Sequence, residues 1–569
     1  MIKLIKLTGF KIILWLAFSL LGMATIRAQS VNAPLADNYY HLIDRYEIKQ
    51  GKWSSSFHSS VKPYQRQAIA SFVDSVKAED LYFSITDDFN LQYLAFDNWE
   101  WYDSIDNENK NPVFNTFYRV PSDLFHVNEK DFDLHINPVL YLRAGREFDN
   151  EVTPYVNTRG VRLRGMIGKR LGFFTFLSEN QAVYPSYVRQ YIQTNRAVPG
   201  QGYYKSFKEN GQDYFAVTGY ISFDVVPKYI NLQFGHDKFF IGNGYRSLIL
   251  SDAGSKYLFL KLNTKIWKFN YTNLFTELRA DAFGFSNNPL ARDDFPRKYM
   301  TFHHLSLNIG KKFNLGFFES IVFGEPDSLG NASYELSYLN PVIFYRAIEH
   351  QNGSLDNAIL GADFKWMPFK GFMLYGQWVF DEFLLREIRA GNNWWANKYA
   401  YQLGIKKTDL LVDNLDVQLE TNWIRPYTYG HKSIFTNYAH YRQPLAHPMG
   451  ANTRELTGIL RYQPLPRLNF RGQVTMAKYG ADTLNSNWGS DVMKSYLTRE
   501  QDYGNEMFQG VATDMTFVNA TASYQVMHNL FIDAGVILRR TNNELGQNTS
   551  QNLVNFALRW NIGMMNIDY

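Results

Sequence analysis

Residues 553–562 read Leu-Val-Asn-Phe-Ala-Leu-Arg-Trp-Asn-Ile. Val554, Phe556, Leu558, Trp560 and Ile562 alternate with Asn555, Ala557, Arg559 and Asn561. A period of two places the sets on opposite faces of a β-strand. A face of large apolar side chains suits lipid, and a face carrying Asn and Arg suits a wet lumen. The same alternation recurs upstream. Arg162 and Arg164 oppose Val161, Leu163 and Ile167; Tyr257, Phe259 and Lys261 oppose Leu258, Leu260 and Leu262; Asp416, Gln418, Glu420 and Asn422 oppose Leu415, Val417, Leu419 and Thr421. An arginine turned to lipid at mid-bilayer would cost about 2–4 kcal/mol. Arg162, Arg164 and Arg559 are therefore expected to face the lumen.

Between these strands, short and long connections alternate. Lys169-Arg170, Pro227-Lys228, Thr264-Lys265, Lys311-Lys312, 368–371, 410–414, 464–466 and 527–529 are tight turns. The long connections fall at 144–154, 183–212, 241–255, 280–299, 324–357, 381–397, 425–454, 480–514 and 541–551. Outer-membrane barrels place short turns on the inner side and long loops on the outer. The count is about 18 strands, an even number that returns both ends of the barrel to the periplasm. The reading is all-β: a transmembrane antiparallel β-barrel over 132–569, with a small, partly helical periplasmic cap or plug region over 29–131. Residues 339–345 resemble an extra strand, and parity assigns them to an outer loop folded into the lumen.

Composition agrees. Among 569 residues 17% are aromatic, with 44 Phe, 38 Tyr and 12 Trp, and mean hydropathy is only −0.32. A chain whose spanning strands are half apolar gives that combination. Lys3, Lys6 and Lys11 precede an apolar run over 12–24, and Ile26-Arg27-Ala28 precedes Gln29. This reads as a secretory signal peptide over 1–28, too short for a spanning helix. The expected location is the outer membrane of a Gram-negative bacterium, with lipid as a partner. The chain has no Cys, which excludes disulfides, thiol catalysis and a lipoprotein anchor. A net charge of +4 implies no nucleic-acid partner.

In the leading region, Pro34 opens a helix with Leu35, Tyr39, Ile43 and Tyr46 on one face. Pro63 opens a second with Ile69, Phe72, Val73 and Val76. Thr86 before Asp87-Asp88 marks a third start.

No nucleophile elbow, zinc helix motif, phosphate loop or dinucleotide fingerprint occurs, so no enzyme, cofactor or metal is expected. His303-His304 are neighbours on a strand and point to opposite faces. Asp293-Asp294 reads as solvated charge. The outer loops carry aromatic and amide side chains suited to sugar: rings stack on a sugar's apolar face while amides bond its hydroxyls. The candidate glycan contacts are Trp394, Trp395, Tyr427, Tyr429, Tyr438, Tyr441 and Trp488. Aromatic girdles at a membrane edge use the same residue types.

Three stretches carry a resemblance: FGHDKFFIGNGYR at 234–246, YLNPVIF at 338–344 and QPLAHPMGAN at 443–452. Together they resemble the Wzi-like capsule-assembly outer-membrane barrels, in the Bacteroidetes branch that includes members labelled gliding-motility protein RemB. The resemblance implies an eighteen-stranded barrel with helices near its periplasmic mouth. It implies a non-enzymatic role in binding or organising surface polysaccharide, capsular or exopolysaccharide. In this picture the N-terminal helices and in-folded loops such as 324–357 close the lumen. Two other readings stay open: a gliding-motility surface component that binds other proteins, and a diffusion porin.

Overall fold

The computed structural model describes residues 30–102, 108–109, 112–148, 150–168, 170–280, 296–324, 332–341, 356–483 and 485–569. Eighteen antiparallel strands close into one barrel, each bonded to its sequence neighbour. They are β1 (Phe132–Phe148), β2 (Tyr155–Ile167), β3 (Leu171–Val183), β4 (Gly211–Val226), β5 (Ile230–Asp237) and β6 (Tyr257–Ile266). Next come β7 (Phe269–Arg279), β8 (Arg297–Ile309), β9 (Phe313–Phe323), β10 (Asn357–Trp366), β11 (Phe372–Glu382) and β12 (Lys398–Lys407). The last six are β13 (Leu415–Ile424), β14 (Thr453–Leu465), β15 (Leu468–Ala481), β16 (Val511–Met527), β17 (Leu530–Asn543) and β18 (Thr549–Trp560). β18 pairs with β1, Phe556 opposite Ala144, and this seam leaves no free edge.

The two-faced pattern recurs around the barrel, except where both faces of β8 and β9 are buried near the long-loop end. Phe556, Trp378, Met476, Ile532 and Leu456 project outward and are at least half exposed. Asp416, Gln418, Glu420 and Asn422 point inward and are buried. A belt of exposed large apolar side chains around a closed barrel is a surface for lipid. Among the described residues no helix is long and apolar enough to cross a membrane.

Several expected boundaries shift. Thr264-Lys265 lie inside β6, and the turn is Trp267-Lys268, because Ile266 pairs with Phe269. Pairing of Leu465 with Leu468 narrows the 464–466 turn to Pro466-Arg467. The last strand stops at Trp560 rather than Ile562: Asn561 is left-handed (φ 54°) and turns the chain inward. The signal-peptide reading, Asp293-Asp294, Lys169 and most of 339–345 lie outside the described residues.

The helices at the short-turn end are α1 (Asp37–Gln50), α2 (Arg66–Lys77) and α3 (Ile85–Asp97). Ile69, Phe72, Val73 and Val76 of α2 are all fully buried against Ile43 and Tyr46 of α1 and Leu91 and Leu94 of α3. Ser84 caps α3, its hydroxyl accepting from Asp87 N (3.1 Å) while the Asp87 carboxylate accepts from Ser84 N (3.0 Å). The expected start at Thr86 is thus two residues late, and Asp87 is a capping residue.

In-folded segments occupy most of the lumen. Val61–Lys62 forms a two-stranded ribbon with Phe240–Ile241 of the connection 238–256, which folds into the barrel. Gly242 continues it at φ 129°, where a Cβ would lie 2.2 Å from the Gln377 amide, so only glycine lets the chain pass. Ile241, Leu248, Ile249 and Leu250 pack with Val31, Val61, Tyr429, Tyr438 and the inward faces of Phe259, Phe302 and Phe318. Apolar burial of this kind contributes about 1.5–3 kcal/mol per large side chain. It spans N-terminal segment, loops and wall in one core.

One connection behaves otherwise than expected. The described part of 324–357 does not enter the lumen. Tyr334 and Tyr338 pack on Tyr299, Ile321 and Phe323. Those three side chains point away from Met300, Phe302 and Val322, which face the lumen core. Residues 332–341 therefore cover the outward face of β8 and β9. The connections 238–256 and 425–452 fill the lumen instead.

Candidate functional site

At the long-loop end, connections 383–397, 425–452 and 482–510 meet around Trp395. Its backbone N–H donates to Asp502 O (2.9 Å). Its ring lies 4.5 Å from Tyr496, 5.9 Å from Trp394 and 6.1 Å from Tyr427, with the Arg499 guanidinium 4.4 Å over it. Arg499 is held by Asp502 (2.6 Å) and by the carbonyl of Tyr496 (3.1 Å). Asn393 O accepts from Asn505 N (3.0 Å), which locks the two loops backbone to backbone. Trp394 and Trp395 are half-buried, and Tyr503 nearby is 55% exposed. Half-buried rings, amides and a guanidinium thus lie together at the long-loop end. Tyr496, Arg499 and Tyr503 were not among the sequence candidates. Their only sequence signal is membership of a long outer loop, and the turn Tyr496–Thr498 is what brings them to Trp395.

The other candidates divide. Trp488 is half-buried on the same loop, its carbonyl accepting from Gln509 (2.8 Å). Tyr441 is half-buried beside His440, away from the Trp395 cluster. Tyr427, Tyr429 and Tyr438 are buried and offer no ring face to a sugar. Tyr427 donates its hydroxyl to Asn487 O (2.9 Å), Tyr429 to Leu248 O (2.7 Å) and Tyr438 to Ile249 O (2.8 Å). These tyrosines pin the outer loops to one another and to the in-folded connection. A buried Tyr hydroxyl needs an acceptor, and backbone carbonyls supply it here.

The three arginines all face the lumen. Arg164 pairs with Glu100, tying the wall to the N-terminal region. Arg559 pairs with Asp533 (2.7 Å) and lies 4.0 Å over the Phe531 ring. Among the described residues Arg162 bonds only Asn561 Oδ1, at 3.4 Å. His303 and His304 do point opposite ways: His304 bonds Asp363 (2.5 Å) inside, and His303 stacks 6.0 Å from Tyr271 outside. Among the described residues no cluster suited to a metal occurs.

Two loop histidines make the outer end acid-sensitive. Burial, with Lys398 and Lys432 nearby, pushes His431 down to about 3. Burial also pushes His440 down to about 3, against its bond to the Lys256 carbonyl. A histidine lowered in the folded state favours folding above its unfolded value near 6.5 and loses that contribution as pH falls toward 3. Each ring is expected to withdraw about 1.4 kcal/mol per pH unit below 6.5. Hydrogen exchange of residues 425–452 should therefore accelerate from pH 6.5 to 4, and His431→Gln should reduce that slope. An unchanged slope in the variant would refute the assignment.

No family model matches the chain, and no curated protein does. Among solved structures it is similar to Wzi of Escherichia coli, described as an outer-membrane protein involved in group 1 capsule assembly and a carbohydrate-binding β-barrel. Identity is 12% and the TM-score 0.56, over 95% of this chain and 100% of that one. The likeness is one of fold. OprD of Pseudomonas aeruginosa aligns at 10% identity and TM-score 0.41, over 75% of this chain and 94% of that one. OccAB2 of Acinetobacter baumannii aligns at 11% and 0.40, over 75% and 97%.

Proposed function

We propose that this protein is a non-enzymatic outer-membrane barrel that binds or organises surface polysaccharide. Residues 1–28 direct export, 29–131 cap or plug the periplasmic mouth, and 132–569 form the barrel. The observation that carries the reading is the Trp394–Trp395–Tyr496–Arg499 surface, raised by three interlocked loops on a barrel whose lumen is mostly occupied. A mostly occupied lumen suits presentation of an outer surface better than diffusion of solutes. The fold-level likeness to Wzi, a carbohydrate-binding barrel, points the same way, as does the resemblance of 234–246, 338–344 and 443–452 to the Bacteroidetes branch. Repeated weak contacts along a polymer would add up to firm attachment through effective concentration.

The test is binding of the purified barrel to its host's own surface polysaccharide, with Trp394→Ala/Trp395→Ala alongside. Loss of one stacking ring is expected to weaken a single contact by about tenfold, ~1.4 kcal/mol. The double variant should therefore release polysaccharide that the wild type retains. Unchanged binding would move the site elsewhere. No binding by either protein would sink the reading and favour the motility or pore alternative.

A further inference from the structure

Between the helices, the in-folded loops and the tail 561–569, the lumen keeps a chamber of about 510 Å³. That is the size of a small-ligand site. Several of the cationic side chains lining it meet a carboxylate, as Arg66 does at Asp97 (2.9 Å) and Lys406 at Asp44 (2.6 Å). On the side built by β2 to β4 and the two ends of connection 238–256 the pairing breaks down. Arg162 is 7% exposed, its Nε has no partner, and one Nη reaches only Asn561 Oδ1 at 3.4 Å. Lys256 Nζ lies 5.8 Å from the centre of the Phe176 ring. Lys238 Nζ donates to the carbonyls of Asp252 (2.5 Å) and Gly254 (3.3 Å). Asp237 and Asp252 also line this side and lie close enough to attract Lys238, and Asp237 to attract Lys256, but among the described residues neither makes a direct ion pair with Arg162, Lys238 or Lys256.

A buried cation without an anionic partner is costly unless water or a ligand completes it. The arrangement suggests which ligand. Phe176 is the register partner of Arg162 on the neighbouring strand, and both point into the chamber. An aromatic ring thus stands in register with an arginine and within 5.8 Å of an ammonium. A guanidinium fork matches carboxylate or phosphate oxygens, and an ammonium adds a point charge. The ring supplies an apolar platform, and Thr218 and Ser178 add hydroxyls on the same wall.

We infer that this wall is an internal binding site for an anionic sugar, one bearing a carboxylate or a phosphate. The site is separate from the Trp395 surface and does not rest on the polysaccharide reading. The full chain, purified in detergent, is titrated with glucuronate, glucose 6-phosphate and glucose, each added to folded protein and also present during refolding. Binding of either charged sugar, weakening as NaCl rises, and no binding of glucose is the expected result. Arg162→Gln and Lys256→Gln should each lower affinity at least tenfold, with Arg162→Lys intermediate and Trp394→Ala/Trp395→Ala unchanged. Which charged sugar binds tells carboxylate from phosphate chemistry. Binding of neither, equal binding of glucose, or binding that survives Arg162→Gln/Lys256→Gln would overturn the inference. If the double variant fails to fold, the salt dependence of the wild type decides.

Discussion

Replacing Arg45 with leucine is expected to unlock the short-turn mouth and to destabilise the seated helices by about 3–5 kcal/mol. Arg45 is 2% exposed and stands at the junction of α1, α3 and the wall. One of its Nη groups donates to Asp416 of β13. The other donates to Asp409 (2.6 Å), Asp87 (3.0 Å) and Asn414 (2.9 Å). Lys49, one turn along α1, shares Asp87 (2.8 Å) and Asp409 (3.0 Å). Without Arg45, buried Asp87 and half-buried Asp409 keep only Lys49, and buried Asp416 keeps only His41 (3.0 Å). Removing one partner of a buried ionic network leaves the others desolvated, which costs more than the network contributed. α1 keeps other ties to the wall, Glu47 to Lys365 (2.8 Å) and Asp37 to Arg461 (2.8 Å). The variant should therefore still insert, but with helices that are cleaved by protease under conditions where the wild type is not. Planar-bilayer recording should show a near-silent wild type and open events in Arg45→Leu. Adding Asp416→Asn should recover part of the stability, because it removes one stranded charge. A wild type that conducts steadily would show that the lumen is not shut and would restore the pore reading.

Arg246→Met should lower stability by a similar 3–5 kcal/mol and release the C-terminal tail. Arg246 sits in the in-folded connection 238–256. Its guanidinium pairs with Glu455 of β14 (2.9 Å) and Asp568 of the tail (2.9 Å). Tyr245 donates to the same Asp568 (2.6 Å), and His447 of the outer loop bonds the same Glu455 (2.8 Å). The backbone N–H groups of Tyr245 (2.7 Å) and Arg246 (3.0 Å) bond Glu420 of β13. One side chain thus joins wall, loop and tail inside a low-dielectric lumen. The expected signature is a lower unfolding temperature together with protease cleavage within 561–569. Glu455→Gln added to Arg246→Met should restore part of the loss. A single variant as stable as the wild type, with its tail still protected, would refute the role given to Arg246.

Much of the barrel is legible in single strands. Period-two alternation over 415–423 tells which side chains are wet, because each strand is tested by lipid on one face and a polar lumen on the other. Helix α2 is equally plain, since Ile69, Phe72, Val73 and Val76 share a face whatever they pack against. The site is less legible. Tyr427, Tyr429 and Tyr438 have the composition of sugar contacts and turn out to be struts. A tyrosine in a loop gives no sign of whether its hydroxyl meets water or a buried carbonyl. The left-handed backbone at Tyr427 (φ 66°) and Tyr429 (φ 72°) that turns them inward leaves no mark in the residue types.

By itself the sequence determined the repeated strand, the short-and-long rhythm of connections, the inward arginines and the apolar belt. Those are local properties, set by side-chain chemistry against two solvents. Only the tertiary structure decided which loops fill the barrel. Connection 238–256 and loop 425–452 enter it, residues 332–341 lie on the outer wall, and among the described residues Arg162 has no direct carboxylate partner such as Arg164 and Arg559 have. Such choices depend on which distant groups can satisfy one another once the wall has closed, and that complementarity between remote segments cannot be read from any one stretch.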